Sequence, residues 1–364
     1  MPKTLDSTPR ADGFHMPAEW EPHQRTWMLW PQRPDNWRNG AKPAQRAWAE
    51  VAGLIARFEP VTVGANPDQF ENARAMLPDH VGVVEMSNND SWMRDIGPSF
   101  VVNGSGDVRM VHWRFNAWGG LFDGLYFPWD KDALVPRKMA GIEGVDRYPA
   151  PLVMEGGSIH VDGEGTVITT EECLLSRGRN PELSREQIEA YLGEYLNIQK
   201  VIWLKRGIDP EETNGHVDDV ACFVRPGVVL AGIVDDPSDW RYEILAENLE
   251  ILRDSTDAAG RPLDVHTIPM PGPQYLTAEE AAGLDVVEGT LPREAGDEIP
   301  ASYVNFYLCN GGLVVPVFGD EHDDEAIETL RELFPDREVV TFPGREIVLG
   351  GGNVHCITQQ QPRG

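Results

Sequence analysis

Only four cysteines occur in 364 residues, none in a Cys-x-x-Cys pair. That excludes a disulfide framework and offers no zinc knuckle or thioredoxin-type motif. Free thiols in a reducing cytoplasm are the expectation. Basic residues are scarce as well, with 31 Lys+Arg against 59 Asp+Glu and a formal charge of −28. A nucleic-acid surface needs clustered Lys/Arg to neutralise phosphates, so that partner is excluded. No apolar run approaches the ~18 residues of a membrane span, and residues 1–14 hold no apolar leader segment, so no membrane partner is expected. Ser/Pro-rich linkers and low-complexity tracts are absent. Residues 1–364 therefore read as a single domain.

What the chain does have is a repeat. Apolar, β-branched runs alternate with amphipathic segments. One unit reads as strands 158–161 and 166–170, helix 184–197 and strand 200–204. The next reads 217–224, 228–234, helix 240–254 and strand 263–267, and another 302–309, 313–317, helix 323–334 and strand 338–341. Earlier, 99–103 and 108–113 form a hairpin around Asn103-Gly104, followed by a helical stretch near 130–142. At the start, a strand from Trp27 to Trp30 precedes helix 43–58 and strand 60–64. Five strand–strand–helix–strand units fit this α/β pattern, the first short of one strand. Asn353–Thr358 is expected to supply it, closing a ring and leaving no exposed sheet edge. Gly156-Gly157-Ser158-Ile159-His160-Val161 is echoed by Gly351-Gly352-Asn353-Val354-His355-Cys356. Asp95, Glu155 and His216 fall just before the first strands of successive units, with Cys356 in the closing strand. A radial repeat would bring them together on its axis.

The chemistry these residues offer narrows the function. Asp95 sits in the polar segment Asn88–Pro98, with Trp92 as an apolar wall; a solvated loop is the plainer alternative. His216 and Asp218 would share one strand face, as suits an acid/base imidazole beside a carboxylate. His160 and Asp162 repeat the His-x-Asp spacing, so a metal-dependent hydrolase built on the two copies stays open. Three glycines, Gly350 to Gly352, permit close backbone approach beside Cys356, the candidate nucleophile. Cys173, Cys222 and Cys309 read as core filler. A thiolate attacks electron-poor carbon, and carboxylates clamp planar cations. A guanidinium carbon meets both demands. Asp95 and Asp218 would hold its nitrogens, Cys356 would add to the carbon, and His216 would protonate departing ammonia and then activate water. No metal or organic cofactor is required.

The chain resembles the agmatine deiminase family of the guanidine-modifying (pentein) superfamily. The resemblance rests on Gly13–Trp20, Ser91–Pro98, Phe115–Gly120, Glu155–His160, Glu212–Asp218 and Gly350–Gln360, in order along the whole chain. It implies a five-bladed α/β propeller of ββαβ modules with pseudo-fivefold symmetry, and hydrolysis of agmatine to N-carbamoylputrescine and ammonia in polyamine metabolism. It further implies catalytic roles for Cys356, His216, Asp95, Asp218 and Glu155. Trp92, Trp118 and Glu212 fall on substrate-binding positions, Glu212 as a candidate for the terminal ammonium. Asn214 departs from the frequent Asp at its position. A homo-oligomeric, cytoplasmic enzyme is expected. Arg94 and Arg293 could accept an α-carboxylate, so arginine and peptidyl-arginine remain open as substrates, although the helical insertion domain of arginine deiminases is missing.

Overall fold

A computed structural model describes residues 2–209 and 212–364. The fold is α/β, and its strands form five mixed sheets of three or four strands plus one two-stranded ribbon. Each mixed sheet pairs two strands antiparallel and a third parallel, the parallel partner being reached through a helical crossover. Ile159–Val161 pairs antiparallel with Thr166–Thr170, which pairs parallel with Lys200–Leu204. The same pattern recurs in Ala221–Arg225, Val228–Ile233 and Asp264–Pro269, and in Tyr307–Cys309, Gly312–Val317 and Glu338–Pro343. Ser99–Asn103, Val108–Arg114 and Arg147–Val153 follow it too, with Phe14–His15 added at one edge.

Local chemistry explains the helices. Ser184 accepts from the Gln187 amide while the Gln187 side chain returns to the Ser184 amide, opening Arg185–Leu196 with a capping box. Asn197, with φ 61°, ends it in the left-handed region. Lys42–Ile55 has Pro43 in its first turn and buries Ala44, Ala47, Trp48, Val51 and Ile55 along one stripe. It stops three residues earlier than the apolar spacing suggests. Glu59 precedes Pro60, and a residue before proline is driven out of helical geometry, so Phe58 packs from a turn instead.

Three departures from the sequence reading concern the region of interest. The closing strand is Thr358–Pro362, antiparallel to His23–Leu29, and not Asn353–Thr358. Residues 353–357 form a turn in which Thr358 Oγ1 bonds the carbonyls of Val354 and His355. Cys356 therefore lies in a turn. Likewise Val217–Asp219 is a 3₁₀ turn ahead of the strand Ala221–Arg225, so a period of two does not relate His216 to Asp218. Of 302–309, only Tyr307–Cys309 pairs as a strand. Ser302 Oγ bonds the Asp219 carbonyl and the Val304 amide, which diverts the chain from sheet geometry and carries Asn305 inward.

Candidate active site

Four short segments before strands bring the polar residues together. Asp95 is on the single-turn helix Met93–Ile96, whose Arg94 amide donates to the Cys356 carbonyl at 3.0 Å. That bond ties the carboxylate-bearing turn to the thiol-bearing one. Glu155 precedes the 3₁₀ turn Gly156–Ser158, and His216 precedes Val217–Asp219. All five are buried.

Asp95 is oriented by two donors: the Trp118 indole N–H to Oδ2 at 2.9 Å and the Gly157 amide to Oδ1 at 2.8 Å. Ala117 and Trp118 both adopt positive φ, 54° and 64°, a conformation costly for side-chain-bearing residues. Arg179 donates to the Trp118 carbonyl and, at 2.9 Å, to Glu155, helping to hold that strained turn. His216 sits among three carboxylates, 3.5 Å from Glu155 and 3.8 and 3.9 Å from Asp95 and Asp218. The Cys356 sulfur is 3.5 Å from Asp218 Oδ2 and 3.1 Å from the Asn305 amide nitrogen.

Electrostatics assign the charges. Burial would lower the His216 pKa, but Asp95, with Cys173 and Glu155, holds it well above the ordinary imidazole value. Burial pushes the Cys356 thiol well up, reinforced by Asp218, Asp219 and Asp95. Burial also raises Asp95, against the opposing charge of His216. Asp218 is lowered despite burial, through its bond to His355, and Glu155 is lowered despite burial, through Arg179 and His216. These side chains thus favour a protonated thiol and an imidazolium beside an excess of buried carboxylate. A cation placed between Asp95 and Asp218 would relieve that excess and bring the thiol pKa down.

A cavity of about 860 Å³ lies beside this cluster. Seven acidic side chains line it, among them Asp90, Asp123 and Asp209, against the guanidiniums of Arg33 and Arg293. Trp92 connects the two regions: it lines the cavity and approaches Gly352, where a Cβ would stand 2.9 Å from both Trp92 and the Cys356 sulfur. Cys356, His216, Asp95 and Asp218 lie beyond the cavity wall. Glu212 is in the wall, but both its oxygens are taken by Arg293, which also donates to the Gly350 carbonyl.

The two His-x-Asp motifs do not form one metal centre. Asp162 accepts from the amides of Glu164 and Thr166, stabilising a hairpin turn. Among the described residues, Glu19, His160 and His355 and, separately, Glu155, Cys173 and His216 have donor atoms within metal-binding spacing. In each set the carboxylate is already paired with an arginine, Arg94 at 3.1 Å or Arg179 at 2.9 Å. A dication there would face a guanidinium. Arg94 itself is buried against Glu19 and outside the cavity. It is not placed to receive an α-carboxylate.

Sequence reasoning missed Arg179 and Asn305, which sit in no motif, and gave no role to Asp219 although it adjoins Asp218 in the segment 211–219. Cys173, read as core filler, is packed in the hydrophobic core, and its sulfur also stands 3.9 Å from Glu155. The Gly-Gly-x-x-His echo was the available signal for His355.

A family model described as Porphyromonas-type peptidyl-arginine deiminase matches residues 15–362. The chain is 58% identical over 358 residues to the agmatine deiminase of Pseudomonas aeruginosa (strain LESB58), covering 98% of this chain and 97% of that one. The agmatine deiminase of Enterococcus faecalis superposes with a TM-score of 0.97 at 53% identity over the full length of both chains. A C. jejuni agmatine deiminase solved with substrate bound superposes with a TM-score of 0.82 at 25% identity, covering 96% and 97%.

Proposed function

The chain belongs to the Porphyromonas-type peptidyl-arginine deiminase family, and within it we propose an agmatine deiminase that hydrolyses agmatine to N-carbamoylputrescine and ammonia. One observation carries the reading: a buried thiol and imidazole set among the carboxylates of Asp95, Glu155, Asp218 and Asp219, an arrangement suited to a bound cation. Asp95 and Asp218 hold the guanidinium nitrogens and keep the group cationic. Its positive charge brings the thiol pKa down, Cys356 releases its proton to solvent, and the thiolate adds to the central carbon. His216, an imidazolium, gives its proton to the departing nitrogen, and ammonia leaves an amidino-cysteine. The now neutral His216 takes a proton from water, which attacks the same carbon. The C–S bond breaks, sulfur leaves as thiolate, and the urea product departs. Glu155 holds His216 in place from the side opposite Asp95.

Agmatine is favoured over arginine because the second cationic end meets an acidic cavity, whereas both candidate arginines are already neutralised, Arg94 by Glu19 and Arg293 by Glu212. The pairing of Glu212 with Arg293 moves the ammonium contact in this reading to other carboxylates of the wall, such as Asp209, with Trp92 as an apolar side, while Trp118 stands behind Asp95 as its donor. The five mixed sheets are read as the blades of a closed propeller, one catalytic domain over 1–364. A role in polyamine metabolism and a homo-oligomeric, cytoplasmic setting belong to the same reading. The four buried, unpaired thiols support a reducing compartment, and light scattering tests the assembly.

Ammonia release from agmatine, arginine and a blocked peptidyl-arginine, measured side by side, tests the proposal. Agmatine should lead, and Cys356→Ser should lose on the order of 10³-fold or more in kcat. Mass spectrometry of quenched enzyme should find the amidino adduct on Cys356. Turnover retained in Cys356→Ser would refute the mechanism.

A further inference from the structure

The echo between Gly156–Val161 and Gly351–Cys356 leaves two histidines, His160 and His355, without a part in the proposed reaction. Their rings stack 6.3 Å apart with an interplanar angle of 25°. Both face one buried carboxylate, Glu19, at 3.6 Å from His160 Nε2 and 2.9 Å from His355 Nε2. Their hydrogen bonds differ in a way that fixes their protons. His160 Nδ1 accepts the Phe223 amide at 3.1 Å, so it carries no hydrogen and the N–H is on Nε2. His355 has an acceptor on each side: Asp218 Oδ2 lies 2.8 Å from Nδ1, and Glu19 Oε1 lies 2.9 Å from Nε2. Both ring nitrogens must donate to satisfy both carboxylates. Arg94, 3.1 Å from Glu19, keeps that carboxylate ionised from its other side.

We propose that His355 is a positioning residue, a standing imidazolium strung between Glu19 and Asp218 that keeps Asp218 anionic and aimed before any substrate arrives. The assignment rests on the reading of Asp218 as a guanidinium-binding carboxylate. His355 precedes Cys356 directly, so the same turn carries the nucleophile and the cation that fixes the charge of its neighbour. The groups facing the ring are Asp218 from the 3₁₀ turn, Glu19 from the segment before the first long strand and Arg94 from the short helix. His160 and Cys222 come from the adjoining strands, and Glu19, His160, Asp218, Cys222 and His355 together line a small cavity. Arg94 opposes the positive charge and the two carboxylates favour it. The carboxylates prevail, and His355 is held above its ordinary value despite burial.

Two measurements decide the matter. In ¹⁵N-histidine spectra of the wild-type protein, the imidazole signal that vanishes in His355→Gln should show both nitrogens protonated through pH 8. A ring at position 355 that is neutral at pH 7 would overturn the proposal. This readout does not involve agmatine, so it stands or falls separately from the proposed reaction. In the pH profile of kcat/KM, His355→Gln and Glu19→Gln should move the acid limb upward by about one unit, because a carboxylate that loses an adjacent cation gains affinity for protons. A uniform fall in activity with the acid limb unmoved would mark the histidine as scaffold alone and overturn the proposal as well.

Discussion

Trp118 shows how a single side chain sets the charge of another. Its indole N–H is one of two donors to Asp95, a carboxylate that burial already pushes toward protonation. Trp118→Phe keeps the ring and removes the donor. A hydrogen bond to a charged group contributes roughly 1.5–3 kcal/mol, so kcat/KM for agmatine should fall by about tenfold or more at neutral pH. The loss should be larger at the acidic end, since Asp95 without that donor protonates more readily. Steady-state rates across pH check both the size and the slope. Asp95, Glu155, His216, Asp218 and Cys356 were legible at this scale because each sits in a polar motif beside glycine. Arg179 was not. Its burial against Glu155 becomes visible only once residues 24 apart in sequence meet.

Among the elements, the turns position the site more than the strands do. At Gly157, in the 3₁₀ turn before Ile159–Val161, a Cβ would come within 2.6 Å of His216 Nδ1 and 2.9 Å of Asp95 Oδ1 and Asp218 Oδ2. Glycine is therefore required by close approach. Gly157→Ala should fold, yet lose about 10²-fold in kcat, the scale of a misplacement of roughly 1 Å. Near-wild-type circular dichroism combined with that loss is the expected result, and full activity would show that the histidine can shift without cost. Three helices, Arg185–Leu196, Tyr242–Arg253 and Asp323–Leu333, were read to within two residues at each end because caps and apolar stripes are local signals, whereas Phe70–Met76 was not read. The turns at 217–219 and 353–357 were read as strand because Val217, Val354 and Ile357 favour sheets. Side-chain bonds from Thr358 and Asn353 to the backbone override that preference.

For the molecule as a whole, distant segments are fastened around the cluster by charge pairs. Arg345, on the short helix ahead of the turn that carries Cys356, bonds both oxygens of Glu280 in the segment that carries the two-stranded ribbon. Although burial opposes it, Arg345 and the Thr277 cap pull the Glu280 pKa down to about 2 from 4.5. A carboxylate lowered on folding stabilises the native state fully above its unfolded pKa, and the effect fades as pH falls toward the folded value. Allowing for solvent screening at the partly exposed Arg345, Glu280→Gln should cost on the order of 1 kcal/mol. Urea unfolding at pH 7 should show that cost, and at pH 2 the variant and the wild type should converge.

The sequence by itself determined the repeat, the helices, the acidic character and the identity of the chemical groups, because those depend on periodicity, caps and composition. It also marked Cys356, downstream of the three glycines Gly350 to Gly352, as the candidate nucleophile. Only the tertiary structure decided what those groups do to one another. The Cys173 sulfur stands 3.9 Å from Glu155, Glu212 is bound to Arg293, and His355 lies between Glu19 and Asp218, separated from them by 336 and 137 residues. Proton affinities in a buried cluster follow distances of a few ångströms, and the folded chain alone sets those distances.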